Sequence, residues 1–154
     1  MRGTILCWVD DSPHGRAALK ASVDLSDRLK LRLVLAHVAA GGDGASANGN
    51  VVRTRRREGA ARLVARLAAE LGLSDRAEHR SAVGDPAALI GQIAAEEAAD
   101  LILVGAPAGG RLRRSSETRL AEHLESATTV PVLFVPPRAG KWRSPRDGAG
   151  ANVN

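Results

Sequence analysis

Hydrophobic positions along the chain fall into short runs, separated by longer stretches in which they recur at helical spacing. Four of five runs are apolar and lack the strict alternation of a half-exposed strand, which is typical of strands buried on both faces of a sheet. The third run is broken by Glu78, His79 and Arg80, and that polarity suits a strand at the rim. We therefore predict strands at residues 4–9, 32–38, 76–83, 101–104 and 130–135.

Each stretch between these runs carries the signals of one helix. Ser12 and Pro13 supply an N-cap and a first helical residue, and Gly84-Asp85-Pro86 is a second helix start. We predict helices over 13–29 and 52–71, a third after residue 85 and a fourth that ends near residue 127. The stripes predicted to face the core are Ala18, Ala21, Ser22, Leu25 and Leu29 in the first helix, Ala60, Val64, Leu67 and Leu71 in the second, and Leu89, Ile90, Ile93 and Ala94 in the third.

The alternation of strands and helices predicts the fold class. Because parallel strands need crossover connections, it indicates an α/β fold with a doubly wound, five-stranded parallel sheet and helices on both faces. One domain accounts for residues 1–137. Residues 39–50 predict a mobile surface loop, and residues 138–154 predict a disordered tail in which Trp142 is the residue able to dock on a surface.

The composition is that of an ordinary globular domain and limits the function classes. The 154 residues are 44% hydrophobic and 25% charged, and the formal net charge of +5 comes mostly from arginines spread over predicted helix faces. Two Trp, one Phe and no Tyr leave few side chains to stack on bases, so nucleic acid is not expected as a partner. The single cysteine, Cys7, lies in an apolar run and predicts a buried thiol. No apolar run is long enough for a signal peptide or a membrane span, so we expect a cytoplasmic protein without membrane contact.

The candidate functional segment begins where the fourth predicted strand ends. The run at 101–104 stops at Gly105, small residues follow, and three arginines precede Ser115 and Ser116. Glycine lets a ligand approach the backbone closely, and open α/β sheets bind ligands at the carboxyl ends of their strands. The sequence therefore predicts that any ligand site includes the loop 105–116.

Other candidate chemistry is sparse. The four histidines show no ligand-like spacing, so no metal site is predicted; they are His14, His37, His79 and His123. No nucleophile elbow or Ser-His-Asp order is present, so no catalytic residue is assigned. Glu96 and Glu97 are predicted on the solvent face of the third helix. The arginine run at 53–57 predicts a solvated face, with an anion or nucleic-acid patch as the alternative.

Several separated segments together resemble the universal stress protein family. The resemblance covers residues 4–135 and depends on the order and spacing of the segments, which are Val9-Asp10 with Ser12-Pro13 and Ala17-Ala18-Leu19, LVLAHV at 33–38, Gly84-Asp85-Pro86, ADLILVG at 99–105 and VPVLFV at 130–135. The resemblance implies strand order 3-2-1-4-5 and, commonly, a dimer in which the last strands pair. It also implies that some members hold ATP at the carboxyl ends of the first and fourth strands, while others bind no nucleotide.

Nucleotide-binding members of the family carry three glycines at fixed spacing, and this chain keeps one of them. In that pattern a glycine, two residues, a second glycine, nine residues and a glycine with Ser or Thr wrap the phosphates with backbone N–H groups. Gly105 matches the first glycine, whereas Ala108 and Thr118 stand at the other two and Arg119 replaces the hydroxyl. Side chains at those positions would crowd a phosphate, so the loop is predicted to be degenerate.

Other residues leave nucleotide binding open. Gly109 and Gly110 would restore close approach if the loop shifted register, and Arg119 with the loop arginines would offer charged forks to phosphate. Asp11 opposes this, because it stands where the family usually has glycine and adds a carboxylate beside Asp10. A magnesium ion on both carboxylates would reverse that repulsion. The simpler interpretation is that Asp11 caps the first helix together with Ser12.

These observations give one leading hypothesis and one main alternative. The leading hypothesis is a non-enzymatic stress-response or regulatory homodimer without a cofactor, which acts on an unknown protein partner. The alternative is a family member that holds ATP or AMP, with magnesium, between the first and fourth strands. Its site would place Asp10 and the Val38 backbone near the adenosine, and Gly105, Ala108, Gly109, Thr118 and Arg119 near the phosphates. A weak ATPase is a third, less favoured hypothesis.

Overall fold

The computed structural model describes residues 2–41, 49–106 and 116–137, with only the backbone described at 116–119 and 121. The strands are β1 (Thr4–Trp8), β2 (Arg32–Ala40), β3 (Ala77–Gly84), β4 (Leu101–Gly105) and β5 (Val132–Val135). The helices are α1 (Pro13–Leu29), α2 (Gly49–Glu70), α3 (Pro86–Glu96) and α4 (Ser116–Ala127). Most of the predicted loop at 39–50 and all of the predicted tail at 138–154 lie outside the described residues.

The five strands form one parallel sheet in the order β3-β2-β1-β4-β5. This confirms both the predicted fold class and the strand order that the family resemblance implied. β1 is central and buried along its whole length, with Cys7 opposite Leu35 on one side and Leu103 on the other. β3 lies at the rim, as its polar residues predicted.

The helices cover both faces of the sheet, and this explains the continuous apolar runs. Successive side chains of a strand point to opposite faces, so Ile5 and Cys7 belong to a core beneath α1 and α2. Leu6 and Trp8 belong to a second core beneath α3 and α4. A strand with two covered faces has no position for a solvated side chain.

The buried stripe of α1 differs from the predicted one in its last turns. Ser22 is buried as predicted and Ser26 also faces the core, while Leu29 is 61% exposed and Leu25 only half-buried. The serine hydroxyls can be buried because they donate to backbone carbonyls of the same helix, Ser22 to Ala18 at 2.8 Å and Ser26 to Val23 at 2.9 Å. Hydroxyls satisfied in this way need no water, so Ser26 can occupy the inner face, and the predicted core position of Leu29 was wrong.

The end of α2 corrects a second predicted core position. Helix α2 ends at Glu70, and Leu71 opens the turn around Gly72 with 38% of its surface exposed. Leu73, beyond the turn, is buried in its place. No helix in the described parts of the chain has the length and hydropathy needed to cross a bilayer.

The amino end of the sheet is held by a cluster of ion pairs at the rim. Arg32 at the start of β2 pairs with Glu78 of β3 at 2.7 Å and with Glu97 beyond α3, and Arg80 pairs with Glu96 and Glu97. The Glu97 side chain is only 11% exposed, so its predicted place on the solvent face was wrong, whereas Glu96 is exposed as predicted. Of the polar residues that interrupt β3, Arg80 therefore joins this strand to the end of α3, and Glu78 joins it to Arg32 of β2.

Cys7 is fully buried between the sheet and α1, as the sequence predicted. Burial raises the pKa of its thiol to about 12, because the thiolate would lose its hydration there, and the charge of Asp10 acts in the same direction. The thiol is therefore protonated and unreactive in the folded protein.

We expect the Cys7 thiol to react with an aromatic disulfide reagent only as the protein unfolds. A urea series in which the reaction is followed by absorbance measures this.

The raised pKa of Cys7 also makes the free energy of unfolding depend on pH. Its contribution is complete below the unfolded thiol pKa of about 8.5 and is lost as the pH rises towards 12. The free energy of unfolding of the wild type should therefore fall more steeply above pH 9 than that of Cys7→Ala. Rapid labelling of Cys7 without denaturant would contradict its burial in the folded protein.

Candidate functional site

Three of the predicted site residues lie together at the carboxyl end of the sheet. Trp8 is paired with Ala36 and Cys7 with Leu103, so the chain beyond β1 reaches Asp10 at the level of Val38 in β2. Gly105 ends β4 on the other side of β1. In an open parallel sheet with this strand order, the direction of the strand connections reverses beside β1. Ligands bind at the carboxyl ends of the strands at this point.

The Asp10 carboxylate organises the start of α1. Its Oδ1 accepts hydrogen bonds from the Ser12 backbone N–H at 2.7 Å and from the Ser12 hydroxyl. The same hydroxyl accepts from the Gly15 N–H at 3.0 Å, which confirms Ser12 as the N-cap of α1. Oδ1 is therefore committed to the helix cap rather than left to a ligand.

Two glycines let the first turn of α1 lie directly against the ends of β1 and β4. A Cβ on Gly105 would lie 2.5 Å from the carbonyl carbon and oxygen of His14 and 2.7 Å from the Gly15 nitrogen. A Cβ on Gly15 would lie 2.6 Å from the Asp10 carbonyl oxygen and would also meet its carboxylate. Packing of α1 on the strands therefore explains why residue 105 is glycine, without any ligand.

Gly15 is a site residue that the sequence analysis missed. The available signal was a glycine in the first turn of a helix, where glycine normally costs stability and needs a reason. The reason is Asp10, which precedes the helix in the chain and whose backbone and carboxylate lie directly against Gly15.

The Val38 side chain is buried in the core beneath α3 and α4, and its backbone is paired with Ala82 of β3. Beside it, His37 donates a hydrogen bond from Nδ1 to the Val9 carbonyl oxygen at 2.6 Å. This bond joins β2 to the segment that carries Asp10. His37 therefore positions backbone at the carboxyl edge, a role that its spacing in the sequence did not show.

Asp11 faces α2 and not the space between the carboxyl ends of β1 and β4. Its carboxylate pairs with Arg16 at 2.7 Å and Arg66 at 2.9 Å, and Arg16 continues to Glu70 at 2.7 Å. Hydrogen bonds from Arg66 and Arg16 lower the pKa of Asp11. The interpretation of Asp11 as a helix cap was wrong, since Ser12 alone caps α1 in that position. Two guanidinium groups also neutralise the carboxylate that was expected to repel a phosphate.

The remaining predicted site residues belong to the glycine loop and the helix that follows it. Ala108 and Gly109 lie outside the described residues. Thr118 and Arg119 lie within the first turn of α4, where only the backbone is described. The structure therefore brings Asp10, Val38 and Gly105 to one edge and leaves the phosphate side of the predicted site as a prediction.

The arginines at the start of α2 lie on its exposed surface, close to the same edge. Arg53 donates to the Val83 carbonyl oxygen at 3.4 Å and Arg56 to the Ala40 carbonyl oxygen at 2.8 Å. They thereby bind the carbonyl ends of β3 and β2. Within the described ranges, no three His, Cys, Asp or Glu side chains lie close enough together to hold a metal ion.

Comparisons with known proteins agree with this architecture. The family model described as Universal stress protein family matches residues 1–136. The solved structure of hypothetical protein MJ0577 is similar, with 25% identity, 88% of this chain and 96% of that chain covered, and a TM-score of 0.68. A universal stress protein family member from Burkholderia pseudomallei has 24% identity, coverage of 87% and 96%, and a TM-score of 0.67. A universal stress protein in complex with cAMP has 17% identity, coverage of 88% and 98%, and a TM-score of 0.58. No curated protein matches the chain.

We expect Gly105→Ala to destabilise the protein by about 1–3 kcal/mol, because the added methyl group must displace the α1 backbone. Gly59→Ala in α2 is the matched control, since its Cβ would meet nothing within 4 Å. It should stabilise by about 0.5–1 kcal/mol through helix propensity. Urea denaturation followed by circular dichroism measures both changes. Equal stability of the two variants would show that α1 does not depend on a glycine at residue 105.

Proposed function

This chain belongs to the universal stress protein family, and on that premise we propose that it is a non-enzymatic regulatory protein of the stress-response class with a degenerate nucleotide-binding loop. It acts through its surface, as a homodimer, on a protein partner. The proposal assigns no catalytic residue and no resident cofactor.

The observation that carries this proposal is the packing of α1 at the carboxyl edge. Gly105, the one glycine that fits the nucleotide-binding pattern, has its Cα against the His14 and Gly15 backbone. Asp10 Oδ1 is held by Ser12, and Asp11 is held by Arg16 and Arg66. The features that suggested a phosphate site thus have structural partners within the protein. The other two glycine positions of the pattern are occupied by Ala108 and Thr118, which carry side chains where nucleotide-binding members have glycine.

The alternative function is adenine nucleotide binding at the same edge. It is supported by the structural relative in complex with cAMP and by the position of Asp10, Val38 and Gly105 along one edge. In this alternative, backbone groups near Val38 would contact the adenosine, and Gly109 with Arg119 would contact the phosphates, with or without magnesium. A slow ATPase would be an extension of this alternative.

Mass spectrometry of denatured, freshly purified protein separates the two functions. The proposal predicts no stoichiometric AMP, ATP or cyclic nucleotide, because side chains at residues 108 and 118 prevent the backbone from wrapping phosphates. A stoichiometric nucleotide peak would favour the alternative instead. Timed phosphate release from added ATP, measured on the same sample, tests the ATPase extension.

Restoring the glycine pattern gives a stronger test of the degenerate loop. Because Gly105 is needed by the fold, the variant combines Ala108→Gly, Thr118→Gly and Arg119→Ser. We expect ATP affinity, measured by calorimetry, to rise about tenfold or more, since each new hydrogen bond to a charged phosphate contributes about 1.5–3 kcal/mol. Ser126→Gly in the last turn of α4 controls for the helix stability that a glycine removes. If the restored loop binds ATP no better than the wild type, loop degeneracy does not determine the function.

The proposed dimer uses the free edge of β5. On its other side, β5 accepts backbone hydrogen bonds from β4. The Ile102 N–H donates to the Pro131 carbonyl at 2.9 Å, and the Ala106 N–H donates to the Val135 carbonyl at 2.8 Å. In a parallel ladder, alternate residues of one strand face the same neighbour, so Val132 and Phe134 direct their N–H and C=O groups away from β4. No described strand lies beyond β5 in the sheet, and an edge of this kind can pair with a second copy.

Residue-resolved amide hydrogen exchange, together with light scattering, tests this dimer. In a dimer joined through β5, the amides of Val132 and Phe134 should be protected and should lose protection on dilution to monomer. The amides of Leu133 and Val135 face β4 and should stay protected at every concentration, which makes them an internal control. A dimer in which Val132 and Phe134 exchange freely would place the interface elsewhere.

A further inference from the structure

An apolar groove of about 630 Å³ lies between α1 and β5. Its apolar lining includes Ala21 and Leu25 of α1, Leu71 beyond α2, and Leu133 and Pro136 at β5. Leu133 is 45% exposed and Leu71 is 38% exposed. Two partly exposed leucines that line one groove form a contiguous apolar surface, and such a surface marks a candidate interaction site.

The chain itself continues from the rim of this groove. Pro136 is a lining residue, and residues 138–154 follow directly after Pro137. That segment is rich in Gly and Arg and has one large aromatic side chain, Trp142. Trp142 follows Pro137 by five residues, which span at most about 17 Å when extended. It is therefore tethered within reach of the groove, and a short tether gives a high effective concentration.

The charged side chains that line the groove offer a basic segment one attractive partner. Asp24 is the acidic side chain among the lining residues, and Lys20 and Arg28 are the basic ones. Lys141 and Arg143 flank Trp142. With the indole in the groove, a flanking cation would be tethered close to Asp24.

We propose that the groove between α1 and β5 is the docking site for the segment around Trp142 of the same chain. Trp142 buries its indole against Leu133 and Leu71, and a flanking cation pairs with Asp24. The docked segment covers the apolar surface beside β5. It makes no bonds to the outward backbone groups of Val132 and Phe134, which stay available for pairing with a second copy. The inference is independent of the cleft at the carboxyl edge and of its ligand.

Fluorine NMR of the full chain carrying 5-fluorotryptophan tests the docking. The chain has two Trp residues, so two resonances are expected, and Trp142→Phe assigns them. The Trp142 resonance should show a solvent isotope shift several-fold smaller than that of free 5-fluorotryptophan. Trp8, 7% exposed in the core, supplies the buried reference and reports whether each variant is folded.

Three matched substitutions locate the contact. Leu133→Asp and Leu71→Asp should each restore the full isotope shift of Trp142, because they place a charge in the groove. Leu29→Asp is the control, since Leu29 is 61% exposed on α1 but is not a lining residue, and it should leave Trp142 protected. Leu71 lies outside β5, so Leu71→Asp leaves the backbone edge of β5 unchanged. Its effect on Trp142 therefore reports docking in the groove and not pairing of β5 with a second copy.

Three outcomes would overturn the proposal. The first is a Trp142 resonance with the full isotope shift in the wild type. The second is protection of Trp142 that survives both Leu71→Asp and Leu133→Asp with Trp8 unchanged. The third is protection that disappears on dilution together with the oligomer measured by light scattering, which would show that a second copy occupies the groove.

Discussion

The packing of the first turn of α1 against the ends of β1 and β4 is the constraint on which the carboxyl edge depends. Helix and strands approach so closely that neither Gly15 nor Gly105 has room for a Cβ. The Asp10 carboxylate then fixes Ser12, and Ser12 caps the helix through Gly15. Cap, carboxylate and glycines form one unit, so a change in any of them alters the geometry of the whole edge.

This unit changes the meaning of the glycine at the end of β4. In a phosphate-binding loop, glycine is explained by a ligand that approaches the backbone. In this chain Gly105 is explained by a neighbouring helix, so its presence does not indicate that a ligand binds. The family fold can therefore keep its first glycine for a structural reason after the other two have been replaced.

Charge is arranged at the margins of the sheet while the interior stays apolar. At the amino end, Arg32 and Arg80 share Glu97 and join the edge strand to α3. At the opposite end, Asp11 joins α1 to α2 through Arg16 and Arg66. Pairs of this kind are partly exposed and individually weak, so their main effect is to fix how helices register on the sheet. Each of these pairs is internally balanced, so the formal net charge of +5 resides on basic side chains outside them.

The sequence by itself determined the fold class, the order of elements, the N-cap at Ser12 and the buried position of Cys7, because local periodicity and helix-start chemistry act over a few residues. It also placed Asp10, Val38 and Gly105 at one edge through a family pattern of widely spaced motifs. Only the tertiary structure decided that Gly105 and Gly15 serve helix packing, that Asp11 turns to Arg66 and that Glu97 is largely buried beside two arginines. These facts depend on partners that lie far apart along the chain, as Arg32 and Glu97 do at a separation of 65 residues. No local pattern specifies which distant side chain will fill the neighbouring space, since that choice is made by the packing of helices on the sheet.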